Sequence, residues 1–248
     1  MAQLREICRY TDQLLEAGSF KDYCPNGLQL EGKAEVKKIV SGVTASADLI
    51  DQAIAQGADL LLVHHGWFWK NEPSPIIGMR KRRIAKMLQS DISLLAYHLP
   101  LDAHPQLGNN VQLGQLLDID FQPAQNQMLV TQGELPQAMS AEQLAQHLEL
   151  KLGRAPLHFG HGPKQIKRVA WCTGGAQSYI QTALDMGVDA YITGEVSEAT
   201  FHIAREAGIH FFAAGHHATE RGGVKALGDH LAENFSIEHQ FIDLINPV

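Results

Sequence analysis

The sequence predicts an α/β fold made of two similar lobes. Three observations point there. Segments with apolar residues at helical spacing alternate with short apolar runs, as when helices cover a sheet. The run Asp59-Leu60-Leu61-Leu62-Val63 is almost continuously apolar, the pattern of a strand buried on both faces of a largely parallel sheet. The chain also echoes itself: Ile50, Ala53, Gly57 and Asp59 reappear 130 positions on as Ile180, Ala183, Gly187 and Asp189. Each copy reads strand, helix, glycine, strand, polar end, helix, strand, so an internal pseudo-repeat is expected.

Each element has a local reason. Leu4, Ile7, Leu14 and Leu15 before Gly18 predict a helix over 4–17. Residues 38–43 read as a strand and 48–56 as a helix stopped by Gly57. The apolar run 59–66 ends in His64-His65-Gly66. A basic helix over 79–89, an apolar strand over 92–98 and a helix over 109–117 follow. Residues 121–167 scatter Pro123, Gly133, Pro136, Gly153 and Pro156 around one helical stretch, 141–150, and read as a linking unit. The pattern then resumes with strands at 169–172, 189–195, 210–214 and 237–244 and helices at 177–186, 197–207 and 219–234. The expected division is an N-terminal α/β lobe over 1–120, a short linking segment over 121–167 and a C-terminal α/β lobe over 168–248.

Composition narrows the function classes. With 248 residues, 45% of them hydrophobic, the chain can bury a core, which excludes disorder as its main character. No apolar run approaches the roughly 18 residues of a membrane-spanning helix. The start, Met1-Ala2-Gln3-Leu4-Arg5-Glu6, lacks the apolar stretch of a signal peptide. Cys8, Cys24 and Cys172 form neither a disulfide framework nor a zinc knuckle, so a cytoplasmic location is expected. A net charge of −7 argues against a nucleic-acid binder that relies on overall charge. Thirteen histidines make position the next question, because histidine is the commonest metal ligand.

In open α/β sheets, ligands bind beyond the carboxyl ends of strands. His64 and His65 end one strand there, and His98 ends the next, with Asp102 and His104 just after it. Gly215-His216-His217 and Glu220 follow the strand 210–214. His216 and Glu220 are four apart, one helical face, and the two oxygens of Glu220 could bridge two ions. Imidazole with carboxylate suits zinc, manganese, iron, nickel or cobalt. Two ions roughly 3.5–4 Å apart are a known hydrolytic device. Any one of these histidines reads first as a buried ring with a backbone partner; the three strand ends together favour metal. The remaining histidines, His147, His158, His161, His202, His210, His230 and His239, lie on helices, turns or strand interiors and are assigned no role.

Other motifs have weaker readings. Cys172 reads as core. Trp67-Phe68-Trp69 is either a cap on the histidines or an interface patch. Thr173-Gly174-Gly175 reads first as a tight turn and second as an anion-binding nest. Met79-Arg80-Lys81-Arg82-Arg83 reads first as a solvated helix face and second as a phosphate contact. Neither a P-loop nor a dinucleotide fingerprint is found.

Several stretches together resemble one family. Asn26-Gly27-Leu28-Gln29-Leu30-Glu31-Gly32, Gly42-Val43-Thr44, Val63-His64-His65-Gly66, His98-Leu99-Pro100-Leu101-Asp102, Gly108-Asn109-Asn110, Thr193-Gly194-Glu195 and Gly215-His216-His217-Ala218-Thr219-Glu220-Arg221 occur in the order seen in the NIF-three-like family. Its bacterial members carry the name GTP cyclohydrolase 1 type 2 homolog. The resemblance spans essentially the whole chain, and 121–167 is too short for the inserted domain of longer members. It implies two divalent metal ions in a cleft shared by the lobes. His65, Asp102 and Glu220 would hold one, and His64, His216 and Glu220 the other, with Glu220 bridging. His98 becomes a candidate acid–base or supporting residue. The resemblance also implies a homohexameric ring.

Two functions of different class compete. One is a metal-dependent hydrolase of a nucleotide or related small molecule, working through activated water. The other is a metal-stabilised ring that binds single-stranded nucleic acid or a protein partner without catalysis; on nucleic acid its affinity would fall steeply with salt. A metallopeptidase ranks below both, for want of a catalytic glutamate beside the histidines.

Overall fold

A computed structural model describes residues 1–124 and 128–248. Along the chain lie β1 (Ala2–Gln3), α1 (Leu4–Leu14), β2 (Gly27–Leu30), β3 (Glu35–Val36), β4 (Lys38–Thr44), α2 (Ala47–Ala55), β5 (Leu60–His65) and α3 (Gly78–Gln89). Then come β6 (Ser93–Ala96), α4 (Leu99–Ala103), α5 (Asn109–Leu116), β7 (Asp120–Phe121), β8 (Thr131–Met139), α6 (Ala141–Leu152), β9 (Leu157–Gly160) and β10 (Ile166–Trp171). The chain closes with α7 (Ile180–Asp185), β11 (Ala190–Thr193), α8 (Glu198–Ala207), β12 (His210–Ala213), α9 (His216–Thr219), α10 (Arg221–Phe235) and β13 (Glu238–Phe241). This is a mixed α/β fold with several sheets, as the sequence predicts at that level.

The first compact unit comprises residues 1–101 and 223–245. Its five-stranded sheet runs β13-β4-β5-β6-β2, parallel except for β2, which is antiparallel to β6. Leu60, Leu61, Leu62 and Val63 are fully buried, as an apolar run without alternation requires. Leu49, Ile50 and Ala53 of α2 pack on Val40, Leu61 and Val63. Gly57, at φ +67°, ends α2 in a conformation that disfavours a Cβ. Two residues later the Asp59 carboxylate accepts from the amides of Lys37 (2.9 Å) and Lys38 (3.2 Å) and from Lys33 Nζ (2.9 Å). It fastens the start of β5 to the start of β4.

The second unit comprises residues 102–222 and 246–248. Its six-stranded sheet runs β7-β8-β10-β11-β12-β9, with β10, β11 and β12 parallel and the flanking strands antiparallel. Trp171, Ile192 and Phe212 are buried against Leu144 and Leu148 of α6. Gly187 also sits at φ +67°, and the Asp189 carboxylate accepts from the amides of Lys167 (2.9 Å) and Arg168 (2.8 Å).

These units differ from the sequence-based division in two places. Residues expected to form the link supply β8 and β9 to the second sheet and α6 to the core beside it; residues 125–127 of that segment lie outside the described residues. Gly133 and Pro136 read as turn signals, yet both sit in β8. At Gly133 a Cβ would meet Asp120 O at 2.6 Å, and Pro136 falls where the β8–β10 register shifts and ladder pairing lapses. The last strand also returns to the first unit, because β13 pairs in parallel with β4, Glu238 opposite Lys38. Among the described residues no helix is long and apolar enough to cross a membrane.

Candidate functional site

In the first unit, β5 delivers His64 and His65. Residue alternation would send them to opposite faces, but the strand is ending, and the two ring centroids lie 4.5 Å apart. His64 is fully buried, and its Nδ1 donates to Tyr97 O at 2.9 Å. That bond puts the proton on Nδ1, so a further bond in the ring plane runs through Nε2. His65 Nδ1 is 3.1 Å from Thr44 Oγ1, the residue opposite it in the β4–β5 ladder. His98 follows β6, with its ring centroid 5.2 Å from His64 and 5.8 Å from His65. These three rings can each offer a nitrogen within 4.8 Å of the others.

The surrounding residues explain two motifs. Gly66 has no room for a side chain, because a Cβ would meet Ala96 Cβ at 2.6 Å. The turn after it is held by Gln29, whose Oε1 accepts from Trp67 N at 2.6 Å. The aromatic run divides: Trp67 is core, its Nε1 donating to Ala45 O at 3.1 Å, whereas Trp69 stands 5.0 Å from His98 and 5.9 Å from His65. Trp69 therefore caps the histidines.

In the second unit, Asp102 is buried near the end of α4. Its Oδ1 accepts from Asn109 Nδ2 at 2.8 Å and Thr173 Oγ1 at 3.4 Å. His216 opens α9 after β12. Its Nδ1 donates to Glu195 Oε1 at 2.6 Å, and its Nε2 lies 3.2 Å from Glu220 Oε2. The four-residue spacing thus brings His216 and Glu220 together, although Glu220 sits at the break between α9 and α10. Burial works against charge on His216, but the hydrogen bond and charge of buried Glu220, then those of Glu195, raise its pKa to about 9. Metal binding at this ring would release that proton.

Glycines make room for these side chains. Gly174 has φ +68°; a Cβ there would run into Glu220 Oε1 and reach 3.1 Å from His216 Nε2. At Gly194 a Cβ would meet His216 Cα at 2.6 Å. The amides of Thr173 and Gly174 donate to Asn110 Oδ1 and Thr219 Oγ1, both at 3.0 Å, so this turn braces its neighbours rather than cradling an anion. Cys172 is buried, and burial, then the charges of Asp102 and Glu220, push its thiol well above the ordinary range. It is core, as its sequence implied.

The donor set fits a divalent ion. On His64, His65 and His216 the Nδ1 atom is engaged by an oxygen, the outer support that metal-ligating imidazoles usually have. His104 differs: its Nδ1 accepts from Leu107 N at 3.0 Å and caps a turn. Glu195, Asp22 and Asn26 were given no role from sequence. Glu195 had a signal, an acidic residue at the carboxyl end of a strand; Asp22 and Asn26 precede β2 in an irregular segment that carries no periodicity.

The pattern of the family described as Duf34/NIF3 (NGG1p interacting factor 3) matches residues 2–247. A Pseudomonas aeruginosa protein is 54% identical over 248 residues, covering 98% of both chains. One from Escherichia coli K12 is 53% identical over 243 residues, again 98% of each. Both bear the name GTP cyclohydrolase 1 type 2 homolog. Among solved structures, protein ybgI, of unknown function, is 51% identical with a TM-score of 0.94, and TTHA1606 from Thermus thermophilus is 34% identical with 0.91; each covers 100% of both chains. The chain belongs to the DUF34/NIF3 family.

Proposed function

We propose that this protein is a dinuclear metal-dependent hydrolase of a nucleotide or related small molecule. The observation that carries this reading is the engagement of Nδ1 on His64, His65 and His216 by oxygen partners. In this reading His65, Asp102 and Glu220 hold one divalent ion, and His64, His216 and Glu220 the other. Bound there, the ions would supply Lewis-acid polarisation and acidify water. The chain's own parts are then distinct. Thr44, Tyr97 and Glu195 orient the imidazoles, Asn109 and Thr173 orient Asp102, and Trp69 limits water at the histidines. The relatives' name makes GTP the first nucleotide to test.

Metal analysis coupled to a screen of nucleotides and phosphoesters tests this. Wild type is expected to hold two divalent ions per chain. Glu220→Ala is expected to lose both, and His65→Ala one, with turnover falling at least about a hundredfold in each. If metal-stripped protein hydrolyses as fast as the reloaded form, the reading fails. Salt-dependent binding of a single-stranded oligonucleotide without hydrolysis would favour the non-catalytic ring instead.

Two further features support finer parts of the proposal. Gly57 with Asp59, and Gly187 with Asp189, make the same φ and the same strand-start hydrogen bonds 130 positions apart, as two copies of one unit would. Leu157 on the edge strand β9 is exposed beside Val196 and Phe201, an apolar surface suited to the expected homohexamer. Light scattering of the purified protein measures that assembly.

A further inference from the structure

The segment before and at the start of β2 has no part in the proposed metal set, although its Asn26-Gly27-Leu28-Gln29 stretch is one of the family-like motifs. Its geometry converges on His98. Antiparallel pairing sets Gly27 opposite Ala96, which brings Asn26 to the end of β6. Asn26 Oδ1 accepts from His98 N at 2.7 Å, and Asn26 Nδ2 donates to Asp22 Oδ2 at 2.9 Å. Asp22 Oδ1 accepts from His98 Nδ1 at 2.7 Å, and its Oδ2 from Leu99 N at 3.0 Å. Backbone and ring of His98 are thus gripped by one carboxylate and one amide. The Asp22 side chain is only 3% exposed, so water competes little for these bonds.

We propose that Asp22, braced by Asn26, is a positioning residue that holds His98 with its proton on Nδ1 and turns the basic Nε2 toward His64 and His65. This rests on the metal-centre reading only in its purpose: the oriented His98 ring would border that centre. The logic is that of a carboxylate behind a catalytic imidazole, where the acid fixes tautomer and orientation and stays ionised. Asp22 matches that role. Burial opposes its charge, yet the bonds from His98 and Asn26 hold its carboxyl down at about 2. Trp69 packs against the same ring, the two planes nearly perpendicular.

Cys24 offers a rival use of the same residues. Asp22, Cys24 and His98 could each place one donor atom within 4.8 Å of the others, a three-ligand set for a soft cation. An ion there would have to displace the proton shared by Asp22 and His98. It would also have to deprotonate Cys24, whose thiol is pushed up to about 12 by burial and then by the charge of Asp22. The two readings therefore predict opposite states of His98 Nδ1.

The test is solid-state ¹⁵N NMR of the metal-loaded full-length protein labelled at histidine, with His98→Gln assigning the signal. The expected result is a protonated Nδ1 and an unprotonated Nε2 for His98 in wild type. Asp22→Asn should lose that Nδ1–H signal in favour of Nε2–H, and Asp22→Glu should restore it, with metal content unchanged in both. A proton on Nε2 in wild type overturns the proposal without recourse to any variant, and so does an unchanged tautomer in Asp22→Asn. A thiolate-to-cobalt absorption band that appears on cobalt loading and vanishes in Cys24→Ser also overturns it, in favour of the three-ligand site. Failure of the metal-centre reading would show separately, as absence of metal from wild type and Glu220→Ala alike.

Discussion

At the scale of single residues, the candidate ligands depend on neighbours that add no ligand atom themselves. Glu195 holds His216 by Nδ1 at 2.6 Å. Removing such an outer partner typically costs about 10–100-fold in metal affinity. Glu195→Gln is therefore expected to weaken metal binding by that order in a chelator-competition titration, with the thermal transition of the stripped protein little changed. Gly174→Ala is expected to do more. Its φ of +68° costs a Cβ about 1–2 kcal/mol, and the methyl would occupy the place of Glu220 Oε1. Metal analysis should show most of the bound metal lost, alongside a lowered Tm. Retention of metal by Gly174→Ala would mean that Glu220 can move away without loosening the centre.

At the scale of elements, paired strands start under an aspartate. Asp59 makes three hydrogen bonds and Asp189 accepts from two backbone amides. Bonds to a charged group are worth about 1.5–3 kcal/mol each, less what water gives back. Asp59→Ala is expected to cost about 2–3 kcal/mol in urea unfolding. The pH sign follows from the direction of its pKa: burial opposes ionisation, but the Lys37 amide and Lys33 outweigh it and lower the value below 3.8. Its contribution is then present above the unfolded-state pKa and is lost as pH falls through the lower folded one. Stability of wild type should therefore drop at acid pH by more than that of Asp59→Asn. Helix bounds were legible within a few residues, since apolar spacing and Gly57, Gly153, Gly187 and Gly208 mark them. Strand β8 was not, because Gly133 and Pro136 are individually turn-like and only their place in the ladder makes them tolerable.

At the scale of the whole molecule, residues 223–245 are tied to the N-terminal strands of the first unit. Ser41 Oγ lies 2.7 Å from His239 Nε2, and His239 Nδ1 lies 2.7 Å from Asp229 Oδ1. The trio has the order of a hydrolytic triad, but Ser41 is fully buried within β4, so it serves as a clamp between β4, β13 and α10. Burial, outweighing the help of Asp229, lowers the His239 pKa below its ordinary 6.5. The folded state then binds fewer protons than the unfolded state between those two values, so stability is full above about 6.5 and falls as pH drops below it. His239→Gln is expected to flatten that limb in melting curves recorded across the pH range. An unchanged slope would place the pH dependence elsewhere.

The sequence by itself determined the α/β class and the buried strands, and it marked the strand ends where candidate ligands gather. Those properties reside in local composition: apolar runs, glycines at helix ends, and histidines and carboxylates placed where strands stop. Tertiary structure decided the unit boundaries and the support of each imidazole. Which strand pairs with β4, or which carboxylate stands behind His98, depends on residues 198 and 76 positions apart meeting in one hydrogen bond. Such pairings leave no periodic trace, because they are selected by packing and by the cost of leaving buried polar atoms unmatched.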